Sequence, residues 1–117
     1  MDRWLRATLN TWNGLKAAIR TEAAFRQEIA VLLVAIPVAF VVGQNAWTRL
    51  ALIGAVVFVM VVELLNTAIE KLSDRVTRAT DVQIGTVKDI GSAAVGLALL
   101  LAGAVWLLAL AQRLGLL

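Results

Sequence analysis

From Gly91 to Ala111 the chain carries no charged residue, and two shorter stretches, Ile29 to Gly43 and Leu50 to Val62, are equally free of charge. A backbone in hydrocarbon must satisfy its own N–H and C=O groups, so apolar runs of this kind are read as membrane-crossing helices. With 117 residues, 61% of them hydrophobic, and a mean hydropathy of +0.85, the chain belongs to the membrane class and has room for one domain. The first two runs are shorter than the ~20 residues that a span needs. Each therefore extends into flanking polar turns, with Arg26 expected to snorkel at one end and the polar face after Val62 buried against protein at the other. The expected organisation is all-α: a surface helix over about 2–20 and spans over about 24–43, 47–70 and 90–111.

Glu63 closes the second apolar run and is followed by Asn66, Glu70 and Asp74. At about 100° per residue these four lie within roughly 80° of arc, so one continuous helix carries them on a single face. That face runs from inside the bilayer out to water. A carboxylate in hydrocarbon costs at least ~2.5 kcal/mol and marks a functional site by default. The bland alternative is a structural ion pair or a helix-packing hydrogen bond.

Basic residues are distributed unevenly. Arg3, Arg6, Lys16, Arg20 and Arg26 precede the first span, and Lys71, Arg75, Arg78 and Lys88 lie between the second and third. Arg49 stands alone between the first and second, and Arg113 alone follows the third. The positive-inside rule then puts the N-terminus and the second loop in the cytoplasm. The net charge of +3 is thus a topology signal, and no nucleic-acid partner is expected. The segment before Ile29, with Glu22 and Glu28, is too long and too acidic for a signal-peptide n-region, so no cleaved leader is expected.

Near the N-terminus, Leu5, Leu9, Trp12, Leu15 and Ile19 fall on one side of a helix, with Arg3, Arg6, Asn10 and Asn13 on the other. Such a helix suits the headgroup layer, and packing on the rest of the domain is compatible with that. Trp47 fits an aromatic anchor, and Pro37 a modest kink. The second spanning helix is expected to continue to about Arg78, with a loop from Thr80 to Thr86, Gly85 as a turn residue and the next helix starting near Val87. Ala94, Ala98 and Ala102 make a small-residue seam for close helix packing.

Cysteine and histidine are absent, which excludes disulfides, thiolate chemistry, Cys/His zinc sites and histidine acid–base catalysis. Carboxylates and Lys88 remain as proton carriers. Clustered carboxylates beside an Asn and a Lys–Asp pair suit a hard divalent cation and an anion. Mg²⁺ often takes only one or two protein carboxylates together with substrate phosphates, and a lysine meets phosphate as a point charge. No Walker-type glycine loop is present, so nucleotide use does not follow from a phosphate-binding loop. A small cation- or proton-coupled transporter is the competing class. Against it, a transporter places its charges near mid-bilayer, and these cluster toward one face.

Three segments carry a family resemblance. VELLNTAIEKLSDR (Val62 to Arg75), EAAFRQE (Glu22 to Glu28) and VKDIGSAAV (Val87 to Val95) resemble, in order and spacing, motifs of the small prokaryotic integral-membrane diacylglycerol kinases. The resemblance extends over nearly the whole chain and implies a single integral-membrane kinase domain over 1–117. It implies a homotrimeric bundle in the bacterial cytoplasmic (inner) membrane, with composite active sites on the cytoplasmic side. The implied reaction transfers the γ-phosphoryl of MgATP to diacylglycerol, giving phosphatidic acid. A sister group of the same fold phosphorylates undecaprenol, and EAAFRQE and GSAAV resemble the diacylglycerol group more closely.

Carried over by position, Glu63 matches the catalytic base, and Glu22 and Glu70 the carboxylates that hold Mg²⁺ on the ATP phosphates. Asn66, Lys88 and Asp89 match polar residues around the nucleotide, which Arg3, Asn10 and Asp81 are also expected to approach. Phe25, Arg26, Gln27, Glu28, Arg49 and Ser92 fall near the lipid substrate, as does Glu63. The loop from Arg78 to Thr86 departs from the familiar pattern, with Ala79 and Asp81 where some members carry an acidic residue and a histidine. Relaxed nucleotide selectivity is the expectation there.

Overall fold

A computed structural model describes residues 2–117 as four helices: α1 (Arg3–Thr21), α2 (Ala23–Val42), α3 (Ala46–Val76) and α4 (Val82–Arg113). No strand occurs among the described residues. The last three are long and apolar enough to cross a membrane. At ~1.5 Å per residue the 31 residues of α3 span about 46 Å, well beyond the ~30 Å of bilayer hydrocarbon. At least one end of α3 therefore stands in water. Because the apolar run ends at Val62, the overhang is the end that carries Glu70 and Asp74.

Capping residues set the helix limits. Asp2 accepts a hydrogen bond from the Trp4 N–H (2.8 Å), Asn45 from the Thr48 N–H (2.9 Å) and Asp81 from the Ile84 N–H (3.0 Å), each satisfying a donor that a helix start leaves free. Glu22 alone separates α1 from α2, in an extended conformation with φ −117° and ψ 104°. Arg26 donates to the Ile19 and Arg20 carbonyls at 2.7 and 3.3 Å, which closes the free end of α1. The arginine expected to snorkel along a span folds back on the preceding helix instead. At the α2–α3 turn, Arg49 donates to the Gly43 carbonyl (3.2 Å) and lies 5.2 Å from the Phe40 ring centre.

The connection after α3 differs from expectation. α4 starts at Val82 rather than near Val87, so Val82 to Thr86 are helical and Gly85 is no turn residue. A glycine inside a helix costs only about 1 kcal/mol, which the Asp81 cap and the hydrogen bonds it starts outweigh. α2 also runs unbroken through Pro37.

The helices meet in two apolar clusters. Ala39, Val42, Leu52 and Ala109 pack with Ile53, Val105 and Trp106 at one end, where the Trp106 indole N–H donates to the Leu52 carbonyl (3.1 Å). Ala18, Phe25 and Met60 pack with Leu15, Ile29, Leu32, Val56 and Leu64 at the other. α3 and α4 share the most extensive contact. On α4 the packed line runs through Gly91, Val95, Ala98 and Ala102, whereas Ala94 is exposed. Steps of four residues advance ~400° and wind off a neighbour by about 40° each time, while alternating steps of four and three stay on it. The seam expected at Ala94 therefore passes through Gly91 instead.

α1 docks only by its second half, through Leu15 and Ala18, and leaves Leu5, Leu9 and Trp12 exposed. An exposed Trp/Leu face with basic residues opposite is the arrangement of a helix lying in a headgroup layer.

Candidate active site

The polar stripe of α3 is graded by depth. Glu63 and Asn66 are half-buried and Glu70 and Asp74 exposed, so the four pass from the packed bundle to water along one face. Within the stripe, the Asn66 amide donates to Glu70 Oε1 at 3.1 Å. The amide oxygen of Asn66 is buried and has no hydrogen-bond partner among the described residues. It faces Gly91 of α4, where an added methyl would overlap it.

Two ion pairs bring neighbouring helices to α3. Lys88, at the start of α4, bonds Asp74 at 2.7 Å. This hydrogen bond, and then the lysine charge itself, hold the Asp74 carboxyl below the ordinary carboxylate range. Lys71 bonds Glu22 at 2.9 Å and donates to the Thr21 hydroxyl at 3.2 Å, tying the α1–α2 corner to α3. Both pairs are largely exposed, so they contribute geometry more than stability.

Glu28, on α2, is half-buried, and its Oε2 finds no partner among the described residues. It borders a largely apolar cleft of about 250 Å³ together with Val56, Met60, Leu99 and Ala102. Glu63 lies within electrostatic reach of it. Two carboxylates thus lie within electrostatic reach of one another where α2 meets α3, beside a largely apolar cleft.

The remaining candidates are only partly assembled. Phe25 is buried in the apolar cluster rather than lining an open site. Gln27, Asp89 and Ser92 are exposed on α2 and α4, and Asn10 on α1. Arg3 is exposed on α1, 5.5 Å from the Trp4 ring centre, and the Asp81 carboxylate is used as a helix cap. Arg49 stands 14 residues before Glu63 on the same helix, about 21 Å along its axis, at the other end of the bundle.

Glu22 and Glu70 do not converge as a carboxylate pair: Glu22 faces Lys71 and Glu70 faces Asn66. No cluster of three acidic side chains suited to a metal forms among the described residues. Glu70 nonetheless fits a Mg²⁺ that takes most of its oxygens from phosphates and water. It is exposed, free of salt bridges among the described residues, and oriented by an amide.

Sequence reasoning missed Lys71, Thr21 and Gly91 and paired Lys88 with its neighbour Asp89. A lysine directly after Glu70, and a glycine at the start of the α4 seam, were the available signals.

The fold and site define a small multi-pass membrane protein whose carboxylates gather at one membrane boundary. The sequence profile of the prokaryotic diacylglycerol kinases matches residues 9–110. The diacylglycerol kinase of Escherichia coli (strain K12) is 42% identical over 113 residues, 97% of this chain and 93% of that one. The Pseudomonas aeruginosa diacylglycerol kinase is 40% identical over 106 residues (91% and 86%), and that of Haemophilus influenzae 37% over 102 (87% and 86%). The chain belongs to the prokaryotic diacylglycerol kinase family. Membership decides against the transporter reading of its membrane carboxylates.

Glu28→Gln preserves shape and removes a charge whose buried oxygen has no protein partner, so it is expected to raise the unfolding temperature in detergent micelles. An unchanged or lower temperature would show that the carboxyl is stabilised where it stands.

Proposed function

We propose that the protein is an ATP-dependent diacylglycerol kinase that transfers the γ-phosphoryl of MgATP to the primary hydroxyl of diacylglycerol, giving phosphatidic acid. The observation that carries this reading is the depth gradient on α3: a half-buried Glu63 and, two turns further out, an exposed Glu70 held by Asn66. A lipid hydroxyl is confined to headgroup level and a nucleotide to water, and one helix offers a carboxylate to each.

In this reading Glu63 accepts the proton of the lipid hydroxyl as its oxygen forms a bond to the γ-phosphorus. The bond from that phosphorus to the β–γ bridging oxygen breaks, and ADP leaves with the electron pair. Mg²⁺, when bound with ATP, supplies charge neutralisation at the phosphoryl oxygens. Glu70 and Glu22 would hold it, Glu22 exchanging its Lys71 partner for the ion. Asn66, Lys88 and Asp89 surround the nucleotide, with Arg3, Asn10 and Asp81 reaching it from α1 and the start of α4. Arg26 to Glu28 and Ser92 flank the lipid headgroup, with Phe25 in the apolar packing beside them, and Arg49 lies toward the far end of the acyl chains. The basic residues before α2 and those around the α3–α4 connection (Lys71, Arg75, Arg78 and Lys88) favour the cytoplasmic face of the cell membrane for this site.

We also propose a homotrimer with sites shared between subunits. Three spans offer little surface to screen Glu63 and Asn66 from lipid, and one chain leaves Glu22 and Glu70 apart. A neighbouring subunit supplies the missing carboxylate.

The assay is purified protein with MgATP and either diacylglycerol or undecaprenol in mixed micelles, followed by separation of the lipid phosphate. Product from diacylglycerol is expected, and product from undecaprenol alone would overturn the substrate assignment. In the same assay Glu63→Gln should lose about 10²–10⁴ in turnover while still binding nucleotide. A variant keeping more than half of the activity would remove Glu63 from the role of base.

For the shared site, subunits carrying Glu22→Ala and subunits carrying Glu63→Gln, each inactive alone, are expected to recover activity when scrambled together. No recovery in scrambled trimers verified by cross-linking would put each complete site within one chain.

A further inference from the structure

Gly91 is buried at the start of the α4 seam, and what stands against it is the side-chain amide of Asn66. The orientation of that amide follows from its partner. A carboxylate only accepts hydrogen bonds, so the Asn66 NH₂ turns to Glu70 and its oxygen turns the other way, onto α4. There the oxygen is buried and finds no donor among the described residues. A buried acceptor left unpaired costs stability and calls for a reason. Any residue at position 91 with a Cβ would overlap this oxygen. The bare Cα of glycine accommodates it and offers at most a weak C–H···O contact.

We propose that Gly91 is a positioning residue. By leaving room for the Asn66 oxygen against α4, it fixes the amide in the orientation that donates to Glu70, and so aims the Glu70 carboxylate at the divalent cation. The proposal rests on the role given above to Glu70. It adds that the metal-binding carboxylate is set from a second helix through an intervening amide. A methyl at position 91 pushes the amide off α4, breaks or turns the Asn66–Glu70 hydrogen bond and leaves the carboxylate free to rotate. Groups that orient a metal-binding carboxylate from behind commonly account for about 10- to 100-fold in metal affinity.

The test reads Mn²⁺ binding by electron paramagnetic resonance, as the free-ion signal lost on adding full-length protein in micelles beyond the loss caused by a non-hydrolysable ATP analogue alone. Gly91→Ala is expected to weaken Mn²⁺ binding by about 10- to 100-fold. Gly96→Ala, on the same helix with open space at its Cα, is expected to leave it unchanged. Asn66→Ala is expected to weaken binding as Gly91→Ala does, and Gly91→Ala added to Asn66→Ala should change nothing further, because the amide through which it acts is gone.

Binding by Gly91→Ala equal to that of the unsubstituted protein overturns the proposal. So does an equal further loss in the Asn66→Ala background, which would make the effect one of helix packing. So does a comparable loss in Gly96→Ala. A Gly91→Ala chain that fails to fold alone but folds together with Asn66→Ala reports the same contact and supports the proposal; failure of both overturns it. If the unsubstituted protein binds no Mn²⁺ with the nucleotide analogue, it is the metal role of Glu70 that fails, and the proposal fails with it.

Discussion

The contact between α3 and α4 is the constraint on which the site depends. α3 has to take a polar stripe out of hydrocarbon, and every polar group in that stripe must find protein or water as it goes. α4 supplies the protein side. Its small-residue line through Gly91, Ala98 and Ala102 lets the two helices approach closely, and Lys88 clasps Asp74 where both emerge. Without hydrophobic drive between helices in lipid, close packing of small residues and interhelical polar contacts are the available forces. Asn66 sits within this contact, with one end of its amide on α4 and the other on Glu70.

The α1–α2 corner is organised by the same economy. Arg26 closes the end of α1 while Lys71 holds Glu22 and Thr21 against α3. Glu22 is thus held in an extended kink between two helices, paired with Lys71. Exposed ion pairs of this kind are weak, so the pair fixes geometry more than stability.

Much of the fold was legible because the apolar runs are local. The three spans follow from runs that only a membrane accommodates, and the stripe Glu63–Asn66–Glu70–Asp74 follows from helical periodicity alone. The start of α4 was misplaced because Gly85 reads as a turn residue by type, whereas the Asp81 cap governs the helix start. The seam was right at Ala98 and Ala102 and wrong at Ala94, because a regular step of four looks persuasive in sequence but drifts around a helix. The site was legible where its residues share one helix and opaque where it is built across helices. Nothing in the order of residues ties Lys71 to Glu22, or Lys88 to Asp74 in preference to Asp89. Those pairings depend on how far α3 overhangs its neighbours, which is a property of packing.

The central claim is that α3 leaves the bilayer between Glu63 and Glu70, so that one helix serves a lipid and a water-soluble substrate. Spin labels at Phe58, Leu65, Leu72 and Val76, all outward-facing on α3, report this directly through collision rates with oxygen and with a water-soluble nickel complex in liposomes. Oxygen should dominate at Phe58, the two probes should cross over near Leu65, and the nickel complex should dominate at Leu72 and Val76. Labels at Leu72 and Val76 as shielded from nickel as the one at Phe58 would put the whole stripe in hydrocarbon and contradict the assignment of the site to the membrane boundary.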